Sequence, residues 1–142
     1  MKRSTFLVFA CSLFILLIST GCNSINQLDE FKTSDDTMRI AIKQICYNEK
    51  YNFTLQFDSV INDSRCPYGA ECFWEGNVQV KFILIDKNKF SHVLYLNSSP
   101  VFQNDTTITG INYRLIEVVP HPSINSKFEY SEYRATVLAN TK

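Results

Sequence analysis

The chain has 142 residues, 14 Lys+Arg against 14 Asp+Glu, five cysteines and a single tryptophan. Balanced, interspersed charge gives no basic stripe of the kind nucleic-acid binding requires, so no nucleic-acid partner is expected. The length suits one modest domain.

The first residues read MKRSTFLVFACSLFILLISTGC. Lys2 and Arg3 form a positive start, Phe6 to Ile18 an apolar run, and Ser19, Thr20 and Gly21 a small-residue stretch before Cys22, which is the layout of an export signal. The apolar run is thirteen residues, and a membrane-spanning helix takes about 20. The Gly21-Cys22 junction resembles a bacterial lipoprotein box, although Ser19 stands where that pattern prefers Leu. The resemblance implies cleavage after Gly21, acylation of Cys22, and attachment outside the cytoplasm to a bacterial membrane, the outer rather than the inner. The alternative is an ordinary secretory signal leaving a soluble protein with Cys22 unpaired. Taking residues 1–21 from 142 leaves 121, and taking Lys2 and Arg3 from 14 basic residues leaves 12 against 14 acidic, a formal charge of −2.

Residues 22–37 are polar and acidic, and are expected to form a flexible tether behind the acylated cysteine. Leu28 and Phe31 docking on the domain is the alternative. The β domain is then expected over residues 38–142. Alternation begins at Met38, Ile40 and Ile42 and predicts a first strand reaching about Cys46. Tyr51, Phe53, Leu55 and Phe57 alternate with Asn52, Thr54, Gln56 and Asp58 and predict a strand with one wet face, entered through a short hairpin link. Val78 to Ile85 predicts a central strand, or one covered on both sides, and Phe90 to Leu96 its partner across an Asp86–Lys89 turn. Further strands are predicted around Thr106–Thr109, at Ile111–Val119 and at Tyr133–Leu138. No stretch carries a helical stripe. About six or seven short strands predict an all-β antiparallel sandwich, with a small β-barrel as the alternative.

Between the second and third of these strands lies DSRCPYGAECFWEG, Asp63 to Gly76. In an oxidising compartment Cys66 and Cys72 are more simply a disulfide than reagents, and Pro67-Tyr68-Gly69-Ala70 is turn-prone enough to bring them together. Redox catalysis favours C-x-x-C, and zinc wants about four tightly spaced ligands; neither pattern is present, so no metal and no cofactor are expected. Trp74 is expected to pack over the disulfide or the sandwich end, and Gly76 to bend the chain into the next strand. Asp63 and Arg65 flank Ser64 as a local ion pair with an Asx- or Ser-type turn, a ligand role for Arg65 being the alternative. Arg65, Tyr68 and Trp74 are the candidate binding-loop residues.

The pattern D-S-R-C-P-x4-C-x-W-x-G, set between alternating strands and followed by LIEVVPHP (Leu115–Pro122), resembles a group of uncharacterised bacterial exported and lipoprotein domains. The resemblance spans about residues 38–139 and implies an all-β exported domain without assigning it an activity.

Nothing in the sequence sets out an enzyme. G-x-S-x-G, H-E-x-x-H, G-x-G-x-x-G and P-loop patterns are missing. His92 reads as a partly buried strand residue, His121 as a loop residue between two prolines, and Cys46 as a small buried thiol. The expectation is a membrane-anchored, non-catalytic binding or envelope-structural module, partnered by the membrane through its lipid and by an envelope protein or surface ligand. A secreted inhibitor inserting the Tyr68-Gly69 tip into its partner, or a hydrolase with an unrecognised site, are the alternatives.

Overall fold

A computed structural model of the chain describes residues 30–141. The signal segment, Cys22 and Leu28 lie outside them. The described residues form an all-β sandwich of two mostly antiparallel sheets, without closure into a barrel. No helix among them is long and apolar enough to cross a membrane.

Nine strands follow in order: β1 (Glu30–Thr33), β2 (Thr37–Ala41), β3 (Ile45–Asn48), β4 (Phe53–Asp63), β5 (Val78–Ile85), β6 (Ser91–Asn97), β7 (Asp105–Ile108), β8 (Ile111–Val119) and β9 (Arg134–Thr141). One sheet runs β1-β3-β4-β5-β6 and the other β2-β9-β8-β7. Their facing sides supply the core. Phe53, Leu55 and Phe57 of β4 and Val78, Val80, Phe82 and Leu84 of β5 meet Tyr113, Leu115, Val137 and Ala139 from the other sheet. Phe53 and Tyr113 close edge to face, centroids 5.1 Å apart. Cys46 is buried and free there, its thiol pushed up to about 11 by burial.

Two expectations are corrected. The strand predicted over Met38–Cys46 is two strands in different sheets. Its alternation continues through Ile42, but Lys43 takes φ 67° and the Ala41–Gln44 turn carries the chain across, closed by Gln44 N–H donating to the Ala41 carbonyl at 2.9 Å. The second correction concerns the polar segment 22–37, whose described part is not a tether. Glu30–Thr33 pair parallel to β3 with Phe31 packed against the core, and Asp36 accepts from Lys50 Nζ at 2.6 Å and Tyr51 Oη at 2.8 Å. A polar strand carrying one aromatic suffices here, because it covers the open edge of β3 and needs only one buried side chain.

The connections divide by end. At one end the links are short: residues 49–52, 86–90 and the two-residue Thr109-Gly110 hairpin, both at positive φ. At the other end lie the long connections, residues 64–77, 98–104 and 120–133. The functional candidates gather at this second end.

Candidate functional site

The long-loop end is built on Asp63, the last residue of β4. Its Oδ1 accepts from Arg65 Nε at 2.8 Å and its Oδ2 from Arg65 Nη2 at 2.6 Å and from the Tyr133 hydroxyl at 2.9 Å. Oδ1 also receives the Arg65 backbone N–H at 3.3 Å, the expected Asx turn. The other guanidinium hydrogens reach the Val118 carbonyl and, at 2.9 Å, the Pro120 carbonyl. Arg65 is 9% exposed. Its planar fork joins the end of one sheet to the end of the other. Burial alone would raise the Asp63 carboxyl, but Arg65 and Tyr133 outweigh it and hold the group below its ordinary range. Burial, then the hydrogen bond to Asp63, push the Tyr133 phenol up to about 12.

The disulfide Cys66–Cys72 closes the loop beyond this clasp, Cα atoms 5.9 Å apart. Backbone bonds then zip the loop to the β8–β9 connection: Tyr68 N–H donates to Pro122 O at 2.8 Å and Ile124 N–H to Tyr68 O at 3.1 Å. The Tyr68 ring stacks on His121 at 4.2 Å. Gly76 ends the segment at φ 76°, where a Cβ would stand 1.9 Å from the Ser64 carbonyl oxygen, so only glycine lets the two arms of the loop lie this close.

Trp74 departs from its expected place. It is 73% exposed, and Phe73 beside it is 96% exposed, the pair meeting edge to face at 5.6 Å. Neither indole nor phenyl enters the sandwich. Instead Trp74 forms one wall of a cleft of about 670 Å³, with Val101 and Phe102 of the β6–β7 connection on it too and Asn62, Gln79 and Asn97 reaching it from the sheet. A smaller recess of about 320 Å³ lies on the other side of Glu75-Gly76 and touches Arg65, Tyr68 and His121. The stapled loop thus brings Tyr68 and Trp74 to the surface in two neighbouring concavities, while Arg65 supports them from beneath.

Comparison with protein families, curated proteins and solved structures gives no match.

His92 lies at the opposite end, its Nε2 2.9 Å from Asp86 Oδ2. Asp86 also accepts from Asn88 N–H at 2.8 Å and Phe90 N–H at 3.0 Å, so the pair ties the β5–β6 turn. Burial would raise Asp86, but His92 and those two amides outweigh it and lower the carboxyl. Neither cleft includes His92 or Asp86. Among the described residues no group of three or more His, Cys, Asp or Glu is placed to hold a metal.

The sequence reading missed Val101, Phe102, Asn62 and Gln79. Their signal was weak but present. SSPVFQND puts an apolar pair into an otherwise polar connection, with no alternating strand to absorb it.

Proposed function

We propose that the chain is a bacterial lipoprotein, cut after Gly21 and acylated on Cys22, whose β-sandwich is a non-catalytic binding module acting through its stapled end. The observation that carries the binding reading is the combination found there. Large apolar side chains (Phe73, Trp74, Val101, Phe102) stand exposed beside a cleft, the first two on a loop fixed by a disulfide, a buried ion pair and a backbone zipper. Exposed apolar surface costs solubility and serves contact with something else. Holding it on cross-linked loops lowers the ordering cost of that contact. Support for export comes from the positive start, the thirteen-residue apolar run and Gly21-Cys22, and a disulfide suits that compartment.

The anchor and the site are compatible by length. Cys22 to Glu30 is eight peptide steps, spanning at most about 28 Å. Glu30 pairs with Ile45, which pairs with Gln56. Gln56 is three residues from the start of β4 and seven from Asp63, or about 10 and about 23 Å along the strand. Both ends of the sandwich lie within that reach, the short-turn end nearer.

The test of anchoring is Cys22→Ala with membrane fractionation and mass analysis of the N-terminal peptide. The proposal expects diacylglycerol and fatty acid on Cys22 and release of the variant from membranes. Retention of the variant in membranes, with no lipid mass on the wild-type peptide, contradicts it.

A further inference from the structure

Three amide side chains stand in a row where the five-stranded sheet meets the stapled loop. Asn62 of β4 is the cross-strand partner of Gln79 of β5, which is the partner of Asn97 of β6. The row depends on a bulge: the β4–β5 ladder slips between Val60 and Asn62, which puts Asn62 in place of Ile61 opposite Gln79. All three residues line the 670 Å³ cleft.

Asn97 is committed to the protein, its Oδ1 accepting from Asn77 Nδ2 at 2.8 Å and its Nδ2 donating to the Gln103 carbonyl at 2.9 Å. The Asn62 and Gln79 side chains have no hydrogen-bond partner among the described residues and keep amide donors and acceptors for a ligand. Trp74 and Phe102 offer aromatic surface beside them, and the lining contains no Lys, Arg or His. Its one formal charge is Glu75.

That lining selects a ligand class. An anion would find no cation and would face a carboxylate. A wholly apolar ligand would leave two amides covered and unpaired, at a cost of about 1–3 kcal/mol each. A sugar ring has an apolar C–H face to lie on an aromatic wall and hydroxyls that both donate to and accept from amides. The cleft falls within the ordinary range of ligand sites, roughly 300–1,000 Å³. We propose that it binds a neutral oligosaccharide, with Trp74 and Phe102 as the stacking surfaces and Asn62 and Gln79 as the hydroxyl readers. This deepens the binding-module reading and rests on it.

Trp74 is the only tryptophan, so intrinsic emission reports on the cleft directly. The mature chain in detergent micelles is titrated with neutral oligosaccharides of glucose, mannose, galactose, xylose and N-acetylglucosamine up to about 10 mM, enough to saturate a millimolar site. The expected result is a saturable change with at least one of them, insensitive to salt. Calorimetry should then show binding weakened about three- to tenfold by Asn62→Ala or Gln79→Ala, with thermal midpoints near wild type. No saturable response from any of the sugars overturns the proposal. So does tighter binding of a sulfated or phosphorylated sugar, or a response unchanged in the Asn62→Ala/Gln79→Ala double variant. Cross-linking of position 74 to an envelope protein, with no sugar response, overturns the glycan assignment and leaves the binding module standing. The lipid on Cys22 is read separately by mass.

Discussion

The two ends of the sandwich solve different problems. At the short-turn end the links are short and tied by side chains: Asp86 closes one turn, and the buried Asn48 takes Tyr51 N–H at 3.0 Å in another. At the stapled end the connections are far longer than strand pairing needs, and two of them, residues 64–77 and 120–133, are then restrained by three separate devices, the Asp63–Arg65 clasp, the disulfide and the Tyr68 zipper. Long loops add conformational entropy that folding must overcome. Restraining them while leaving Phe73 and Trp74 in water makes sense if the surface they present, and not the core beneath it, is the product.

The largest loss of stability is expected from removing the clasp. Asp63→Asn leaves the Arg65 guanidinium buried beside a neutral amide and should lower stability by about 3–5 kcal/mol in denaturant unfolding. The pH dependence follows from the same group. Because Asp63 titrates lower when folded, its contribution is whole above the ordinary carboxylate value, about 3.9, and is lost as pH falls through the depressed folded value. Wild-type stability should therefore decline on acidification, and the Asp63→Asn variant should decline less over that range. Equal slopes would mean that other carboxylates dominate.

Two glycines with nearly the same backbone sharpen the contrast. Gly76 and Gly110 lie at φ 76° and 82°, but a Cβ meets the Ser64 carbonyl at the first and nothing within 4 Å at the second. Gly76→Ala should cost about 3 kcal/mol or more and disturb the cleft, while Gly110→Ala should cost only about 1 kcal/mol from strained φ. Similar thermal midpoints for the two variants would remove the close approach from the account.

Next in size is the disulfide. Cys66→Ser/Cys72→Ser should lose about 2 kcal/mol, since the closed loop is short. Smallest is Trp74→Ala, which should leave stability within about 0.5 kcal/mol of wild type because the indole buries little.

Much of the scaffold is legible in the sequence, and the reasons for the failures are physical. β4, β5 and β8 are strands with clear period-two faces or continuous apolar runs, and Ile111–Val119 matches its predicted bounds. The sandwich follows from them, and the stapling follows from a turn-prone stretch between two cysteines in a chain expected to be exported. What did not show is any feature set by a distant partner. Lys43 carries no mark of its positive φ, so the crossing between sheets is hidden inside unbroken alternation. β1 is legible only through its partner, the open edge of β3. Arg65 reads as a loop cation until β8 brings the Val118 and Pro120 carbonyls to it. Trp74 reads as core on residue type, and it is the Gly76 bend and the Ser64 contact that turn the segment outward.

The central claim is that the stapled end, not the opposite end, is where the protein meets its partner. Photo-cross-linking in intact cells tests it with a benzophenone side chain at position 74, and in parallel at Phe90, an exposed aromatic site at the short-turn end. Covalent products at position 74, glycan or protein, with none at position 90 are the predicted result. Products at position 90 alone, or in equal yield at both positions, would contradict it.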